Sequence, residues 1–383
     1  MGMDRNNISF FLVNKQAYII AGFFLFFFLI QLIYYLAVYS RVAFYRKRQS
    51  SDCNEPVSVI ICARNEAENL ENYLPAVLSQ QYPEFEVIVV DDASTDETDM
   101  LLKRFMGQYP NLRVTTIRVD KKFTHGKKLA VTIGIKAAKH DILVFIDADC
   151  KPAGDQWLKA MVSGLKDDKQ IVLGYGGFTS RKGLLNKYIR YDTLTIAMQY
   201  LSFAISGFPY MGVGRNLAYR KSFFNTTAGF SRHLHLLSGD DDLFVNENAT
   251  KLNTAVEFSH ESHTRSAPSR TFNKWIWQKK RHLTTSPLYK ARDKFLLGFE
   301  PFSRLCFYVL LVVLLFIPGM LWWALGAFLI RLIAQVVIIK NTMIRLHENN
   351  LLLYSILFDV VSLFITFVLF VSNRISARKR PWK

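Results

Sequence analysis

The stretch DILVFIDADC, Asp141–Cys150, decides the fold. Ile142, Leu143, Val144, Phe145 and Ile146 follow one another without a polar break, the habit of a strand buried on both faces in the middle of a helix-flanked sheet. At its carboxyl end stand Asp147 and Asp149, one small residue apart. Ligands bind at that edge of open α/β sheets, and carboxylates at i and i+2 leaving a strand can aim oxygens at one hard cation such as Mg²⁺ or Mn²⁺. Taken alone the pair also suits a solvated turn, because Asp favours loop starts.

Working outward, the same strand–helix alternation recurs. VSVIICA (Val57–Ala63) is strand-like and RNEAENLENYLPAVLSQ carries helical spacing behind it; EVIVVDD (Glu86–Asp92) follows, with Ser94, Thr95, Asp96 and Thr98 where a helix would be capped. A short strand over Arg113–Val119 leads to His125, Gly126, Lys127 and Lys128 and another helix. Repeated βα units imply a mostly parallel sheet with helices on both faces, whose strand ends collect Arg64, Asn65, Glu66, Asp91, Asp92, Asp147 and Asp149 at one edge. Farther on, Leu184–Ile205 is amphipathic and suits a membrane surface or the domain core equally. A glycine-rich loop (Gly207–Phe224), SGDDDLF with Asp240, Asp241 and Asp242, and the basic segment TFNKWIWQKKRH (Thr271–His282) come next.

Half of the 383 residues are hydrophobic, yet the middle of the chain is as polar as an ordinary enzyme, so the apolar excess sits at the ends. Gln16–Ser40 carries no charge and is long enough to span a bilayer core of ~30 Å. Arg41, Arg46, Lys47 and Arg48 follow it against Arg5 and Lys15 before it, which puts the N-terminus outside and the sheet domain in the cytoplasm. A C-terminal membrane region occupies 305–372. Its uncharged run Leu305–Ile330 reads as one tilted span and Leu351–Ser372 as another, giving three spans in all; a hairpin at Pro318–Gly319 would make four and move the tail outside. Arg374, Arg378, Lys379, Arg380 and Lys383 in the tail outnumber Arg331, Lys340 and Arg345 before it, which favours three. The net charge of +17 calls for anionic partners. Its cations flank membrane segments and the sheet edge, so lipid headgroups and a phosphate-bearing substrate are expected and nucleic acid is not. Cys53, Cys62, Cys150 and Cys306 form no CxxC pair, as suits a reduced compartment.

Read together, CARNEAENL, VVDDASTDET, HGKKLA, FIDAD, SGDDDLF and QKKRH stand in the order and spacing of a known family. Over about residues 55–285 the chain resembles the inverting family-2 glycosyltransferases of GT-A fold, in the membrane-embedded branch with the cellulose, hyaluronan and poly-N-acetylglucosamine synthases. The resemblance implies a cytoplasmic GT-A domain with an acceptor region at 184–285, in a multi-pass protein of the cell membrane. It also implies a nucleotide-sugar donor, a UDP-sugar by preference, and a lipid-linked or growing glycan acceptor.

Carried over position by position, it assigns Ala63, Arg64, Asn65 and Glu66 with Asp92 to the base and ribose, and Lys127 to the diphosphate. Asp147 and Asp149 take the place of the DxD pair for Mg²⁺ or Mn²⁺, with Asp149 as the direct ligand. Aligning Asp240–Asp241 with the family's Glu-Asp makes Asp241 the general base. Gln278 and Arg281 match QxxRW, but His282 stands in place of its Trp, which helps to hold acceptor sugar in processive synthases. Single addition is therefore preferred, with a processive polysaccharide synthase and an inactive nucleotide-sugar-binding assembly subunit as the alternatives. His282 is left either to stack on a sugar or to contact phosphate as a pH-sensitive cation.

Overall fold

The computed structural model describes residues 5–46, 53–118, 126–166, 168–233, 236 and 238–375; Lys47, Arg48, His125 and the tail cations Arg378, Lys379, Arg380 and Lys383 lie outside them. The chain opens with α1 (Arg5–Ile33), which widens into a π-helical turn at Tyr34–Tyr39 and continues as α2 (Ser40–Ala43). The βα repeats follow: β1 (Val57–Ala63), α3 (Ala67–Leu78), β2 (Phe85–Asp92), α4 (Thr98–Met106), β3 (Leu112–Ile117), α5 (Lys127–Ala137) and β4 (Ile142–Phe145). Next come β5 (Cys150–Pro152), α6 (Trp157–Val162), β6 (Ile171–Leu173), β7 (Gly176–Phe178), α7 (Leu184–Ile205), β8 (Leu217–Arg220) and α8 (Lys221–Thr226). The domain closes with α9 (Asp242–Asn248), β9 (Thr254–Val256), β10 (Thr264–Ser266) and α10 (Phe272–His282). Helices α11 (Ala291–Leu315), α12 (Leu321–Arg345) and α13 (Leu352–Ile375) end the described chain.

Seven strands form one sheet in the order β3-β2-β1-β4-β8-β6-β9, parallel except where β8 runs against β4 and β6. β1 lies between β2 and β4, with Val59 opposite both Val87 and Val144. Alternate side chains enter two cores: Val57, Val59, Val87 and Val144 face α3, α4 and α6, whereas Ile60, Ile88, Leu143 and Phe145 face α5 and α7. Parallel register delivers the ends of β1, β2 and β4 to one edge, the geometry that makes the polar residues there neighbours. A second sheet, β5-β10-β7, packs beside the first and begins at Cys150, directly after Asp149.

α7 is a core helix whose Tyr188, Tyr191, Leu194, Met198 and Leu201 are buried. The same helix touches Phe358 of α13 through Tyr188 and Tyr191, so it joins the sheet domain to the membrane side.

Leu305–Ile330 is not one continuous helix, as a single tilted span would require. Pro318 lacks the N–H that would continue a helix and Gly319 takes φ +82°, so α11 stops at Leu315 and α12 starts at Leu321. Among the described residues four helical segments, Lys15–Ala43, Ala291–Leu315, Leu321–Arg345 and Leu352–Ser372, are long and apolar enough to cross a membrane. α12 carries the chain after Arg331 back to the sheet domain. There Glu348 is buried against Arg190, Tyr175 and Arg265.

Polar groups hold the four apolar helices together. Asp359 accepts from Arg304 Nη1 at 2.6 Å, Tyr308 Oη at 2.6 Å and Arg331 Nη2 at 3.0 Å; Arg331 also reaches Gln31 of α1 at 3.0 Å and Gln335 at 2.8 Å. Arg331 and Asp359 are buried, and charges in such a setting persist only when paired. Asp359→Asn leaves Arg331 without a carboxylate and Arg304 with Glu300 alone, at 3.5 Å, and is expected to cost about 3 kcal/mol, the scale of a broken buried pair. Unfolding in mild detergent checks it, with Asp99→Asn on the exposed Lys103 pair as the near-silent comparison.

Candidate active site

The loops after β1 and β2 interlock at the sheet edge. Asn65 adopts φ 54°, a conformation Asn tolerates. Its N–H donates to Ser94 Oγ at 2.9 Å and its carbonyl oxygen Oδ1 accepts from Thr95 N at 2.7 Å. Glu66 N donates to Thr98 Oγ1 and Ala67 N to Asp96. Ala63 and Asp92 are buried at the strand ends, and Arg64 lies 3.9 Å from the Asp92 carboxylate. Backbone and carboxylate acceptors in this rigid rim suit the N–H and hydroxyl donors of a nucleoside.

Lys127, the first residue of α5, is the hub. Its ammonium lies 2.8 Å from Asp147 Oδ1 and 3.3 Å from Asp240 Oδ2, bridging the end of β4 to the segment before α9. Burial works to lower the lysine, but Asp147, Asp240 and Asp241 win and hold it well above its ordinary value. Burial works to raise Asp147; Lys127, then Arg215 and Arg281, keep it below the usual carboxylate range. Asp240 is raised by burial, with Lys127 opposing and Asp241 and Asp147 adding to the rise.

The three acids of SGDDDLF have different surroundings. Asp240 turns to Lys127. Asp242 is buried and accepts from Tyr289 Oη at 2.8 Å, Leu243 N at 2.8 Å and Thr285 Oγ1. Asp241 stays partly open to the cleft. Its Oδ2 accepts from Gly214 N at 2.6 Å and its Oδ1 from Asp242 N at 2.8 Å, which also caps α9. Both Lys127 and Asp241 need Gly214 bare: a methyl there would stand 3.1 Å from Lys127 Nζ and 3.2 Å from Asp241 Oδ2.

Asp147, Asp149 and Cys150 bring their ligand atoms within 4.8 Å of one another. Burial keeps the Cys150 thiol far above its ordinary value and therefore protonated, so a hard cation would take the two carboxylates, Asp149 and Asp147. Across the cleft, Arg281 of α10 lies over the Trp277 ring, and its buried Nε has no hydrogen-bond partner among the described residues, a donor left for an anion. Gln278 is one helical turn earlier and accepts from Ser269 Oγ at 3.3 Å. His282 is exposed at the end of α10, and the protein packed beside its ring, then Arg281, Lys279, Arg215 and Lys127, push its pKa down to about 3. That direction disfavours the cation among its two readings.

Lys127, Asp147, Asp240 and Asp241 thus line one cleft with Cys62, Phe145, Gly214 and Tyr219. Gly214 and Arg215 escaped the sequence reading; GVGRN, two glycines before an arginine inside the glycine-rich loop, was the available signal. Asp242 gives a pH signature. Burial and then Asp241 push it up to about 7 from 3.8, against its three donors. A carboxyl raised on folding contributes stability that is fully present below about pH 4 and lost as pH rises through about 7. Asp242→Asn is expected to flatten that decline, read as the difference between wild-type and variant melting temperatures from pH 4.5 to 7.5.

A mostly parallel sheet, paired acids and a part-buried lysine at one edge, and an arginine with an unpartnered Nε opposite are an arrangement of the GT-A fold. Residues 58–227 match the model of Glycosyl transferase family 2, and the chain carries a domain of that family. Glycosyltransferase AglE of Haloferax volcanii is 33% identical over 208 residues, 54% of this chain and 64% of that protein. A poly-beta-1,6-N-acetyl-D-glucosamine synthase of Staphylococcus epidermidis is 32% identical over 95 residues, 25% of this chain and 22% of that protein. The chain therefore matches less than two thirds of either relative. Among solved structures, the mannosyltransferase PcManGT of Pyrobaculum calidifontis, in complex with GDP-Man and Mn²⁺, superposes with a TM-score of 0.57 at 19% identity. The superposition covers 86% of this chain and 98% of that one, a likeness of fold.

Proposed function

We propose that the chain transfers a sugar, with inversion, from a nucleoside diphosphate sugar to a lipid-linked or growing glycan acceptor at the cytoplasmic face of the cell membrane. The observation that carries this reading is the difference among the three acids before and at α9: Asp240 is engaged by Lys127, Asp242 by Thr285 and Tyr289, and Asp241 alone is part-exposed in the cleft. Inverting transfer is one in-line displacement and needs a base on the acceptor side. Asp241 takes the acceptor hydroxyl proton as that oxygen attacks the anomeric carbon and the bond to the diphosphate breaks. Gly214 N–H fixes the direction of its carboxylate.

Lys127 and Arg281 meet the negative charge that gathers on the diphosphate, Arg281 through its unpartnered Nε. Mg²⁺ or Mn²⁺ held by Asp149 and Asp147 would neutralise the same charge as a Lewis acid. Ala63, Arg64, Asn65, Glu66 and Asp92 receive the base and ribose, and Gln278 belongs to the α10 segment that closes the diphosphate side. His282 in place of a tryptophan favours single addition over processive synthesis. The names of the relatives and the bound GDP-Man and Mn²⁺ of the mannosyltransferase support donor class and metal.

Asp149→Asn is expected to abolish transfer and metal-dependent nucleotide binding together. Asp241→Asn is expected to lower kcat by about 10²–10⁴-fold with donor affinity nearly intact, because it removes only general-base catalysis. Transfer assays beside calorimetry with UDP- and GDP-sugars check both. A fast Asp241→Asn with a dead Asp240→Asn or Asp242→Asn moves the base by one position, and loss of activity without loss of metal-dependent binding in Asp149→Asn removes the metal role.

The proposed membrane arrangement is multi-pass with the sheet domain on the cytoplasmic side. If all four apolar helices cross, α13 leaves from the domain side and the tail lies on the other. A C-terminal tag is then expected to be labelled by outside reagents in intact spheroplasts; protection of the tag would reduce the crossings to three.

A further inference from the structure

We propose that Glu348, in the turn between α12 and α13, is a positioning residue for the metal motif and couples the seating of that turn to metal affinity. This rests on the reading that Asp149 and Asp147 hold a divalent cation.

The turn enters the sheet domain as a plug. His347 and Asn350 take φ 50° and 57°, backbone that non-glycine residues hold only when their surroundings fix it. Glu348 is buried. Its Oε2 accepts from Arg190 Nε of α7 at 2.8 Å, and its Oε1 accepts from Tyr175 Oη at 3.0 Å and from Arg265 Nη1. Arg265 Nη2 further donates to the carbonyls of Leu346 at 2.9 Å and His347 at 3.1 Å, and Arg190 Nη2 donates to Asn349. One carboxylate thus neutralises two guanidiniums at the rim of the second sheet.

That sheet leads to the metal motif. Arg265 is the middle residue of β10, the central strand, with Lys151 of β5 and Gly177 of β7 as its register partners. On the next pair, Ser266 faces Cys150, the residue that follows Asp149. His263 O also accepts from Ala153 N at 2.9 Å, so β10 holds β5 along its length. Where β10 sits therefore sets where the chain leaves Asp149. Gly177 shows how tight the path is, because a methyl there would run into the Arg265 guanidinium. Replacing the Glu348 carboxylate by an amide leaves Arg190 and Arg265 facing each other without a counter-charge, so Arg265 withdraws and β10 loosens from its end.

The test uses the full chain in detergent, with Mn²⁺ titrated in the presence of a nucleoside diphosphate and free Mn²⁺ read by electron paramagnetic resonance. Glu348→Gln is expected to weaken Mn²⁺ binding about tenfold, as outer-shell changes do, and Glu348→Asp to recover most of it. Gly177→Ala, which displaces Arg265 from the other side, is expected to give the same loss and stands in if Glu348→Gln does not fold. Asp359→Asn, which breaks a buried pair of the same kind among the membrane helices, is expected to leave Mn²⁺ affinity unchanged. Wild-type affinity in Glu348→Gln or Gly177→Ala overturns the proposal, as does an equal loss in Asp359→Asn. Asp149→Asn separates the two readings. If it keeps Mn²⁺ affinity, the metal assignment fails; if it loses affinity while Glu348→Gln does not, the coupling alone fails.

Discussion

One ammonium group joins the two parts of the cleft. Lys127 touches Asp147, which leaves the parallel half of the sheet, and Asp240, which belongs to the segment beyond the antiparallel strand β8. Without a cation between them, Asp147, Asp240 and Asp241 would repel across a few ångströms in a part-buried setting that screens charge less than open water. Lys127 makes that density of acids tolerable, and it sits at the start of α5, so a rigid helix fixes its position. The parallel register does the rest, since β1, β2 and β4 all end at this edge and the loops that follow must share one space.

A second electrostatic knot lies among the apolar helices. Asp359 and Glu300 balance Arg304 and Arg331, charge that hydrocarbon could not carry, and Gln31, Gln335 and Tyr308 satisfy what remains. Lipid offers no hydrophobic drive to bring apolar helices together, so such polar contacts decide which faces meet. α7 then transmits this arrangement to the sheet, because its tyrosines pack on Phe358 while its other residues belong to the domain core.

The parts legible in the sequence are those whose signal is local. The apolar run Ile142–Ile146 announces a central strand, and the acids directly behind it need no distant partner to be noticed. Lys127, Asp240 and Asp241 fall within short strings, and the structure brings them together with Asp147. What stayed hidden depends on partners far along the chain. Asp242 reads like its two neighbours until Thr285 and Tyr289 close over it. Glu348 is a single acid in a polar turn, and its role exists only through Arg190, Tyr175 and Arg265. Pro318 and Gly319 were visible, but hydropathy measures length and apolarity, and it cannot distinguish a kink from a reversal. The aromatic surface of α7 was equally ambiguous, because core and membrane side both want it.

The π-helical turn at Tyr34–Tyr39 has a bearing on how this chain tolerates change. A π turn holds one residue more than the α-helix it interrupts, and so resets the phase of everything before it. On its outer side Gln31 meets Arg331 and Ser303; on its inner side Val42 and Ala43 are buried against the domain. Each α-helical residue turns the helix by about 100°, so excising one residue from the bulge would leave both halves well wound yet rotate Gln31 away from its partners. The helix is thus a two-part key whose parts are cut at a fixed angle, and its tolerance for substitution should far exceed its tolerance for single-residue deletion.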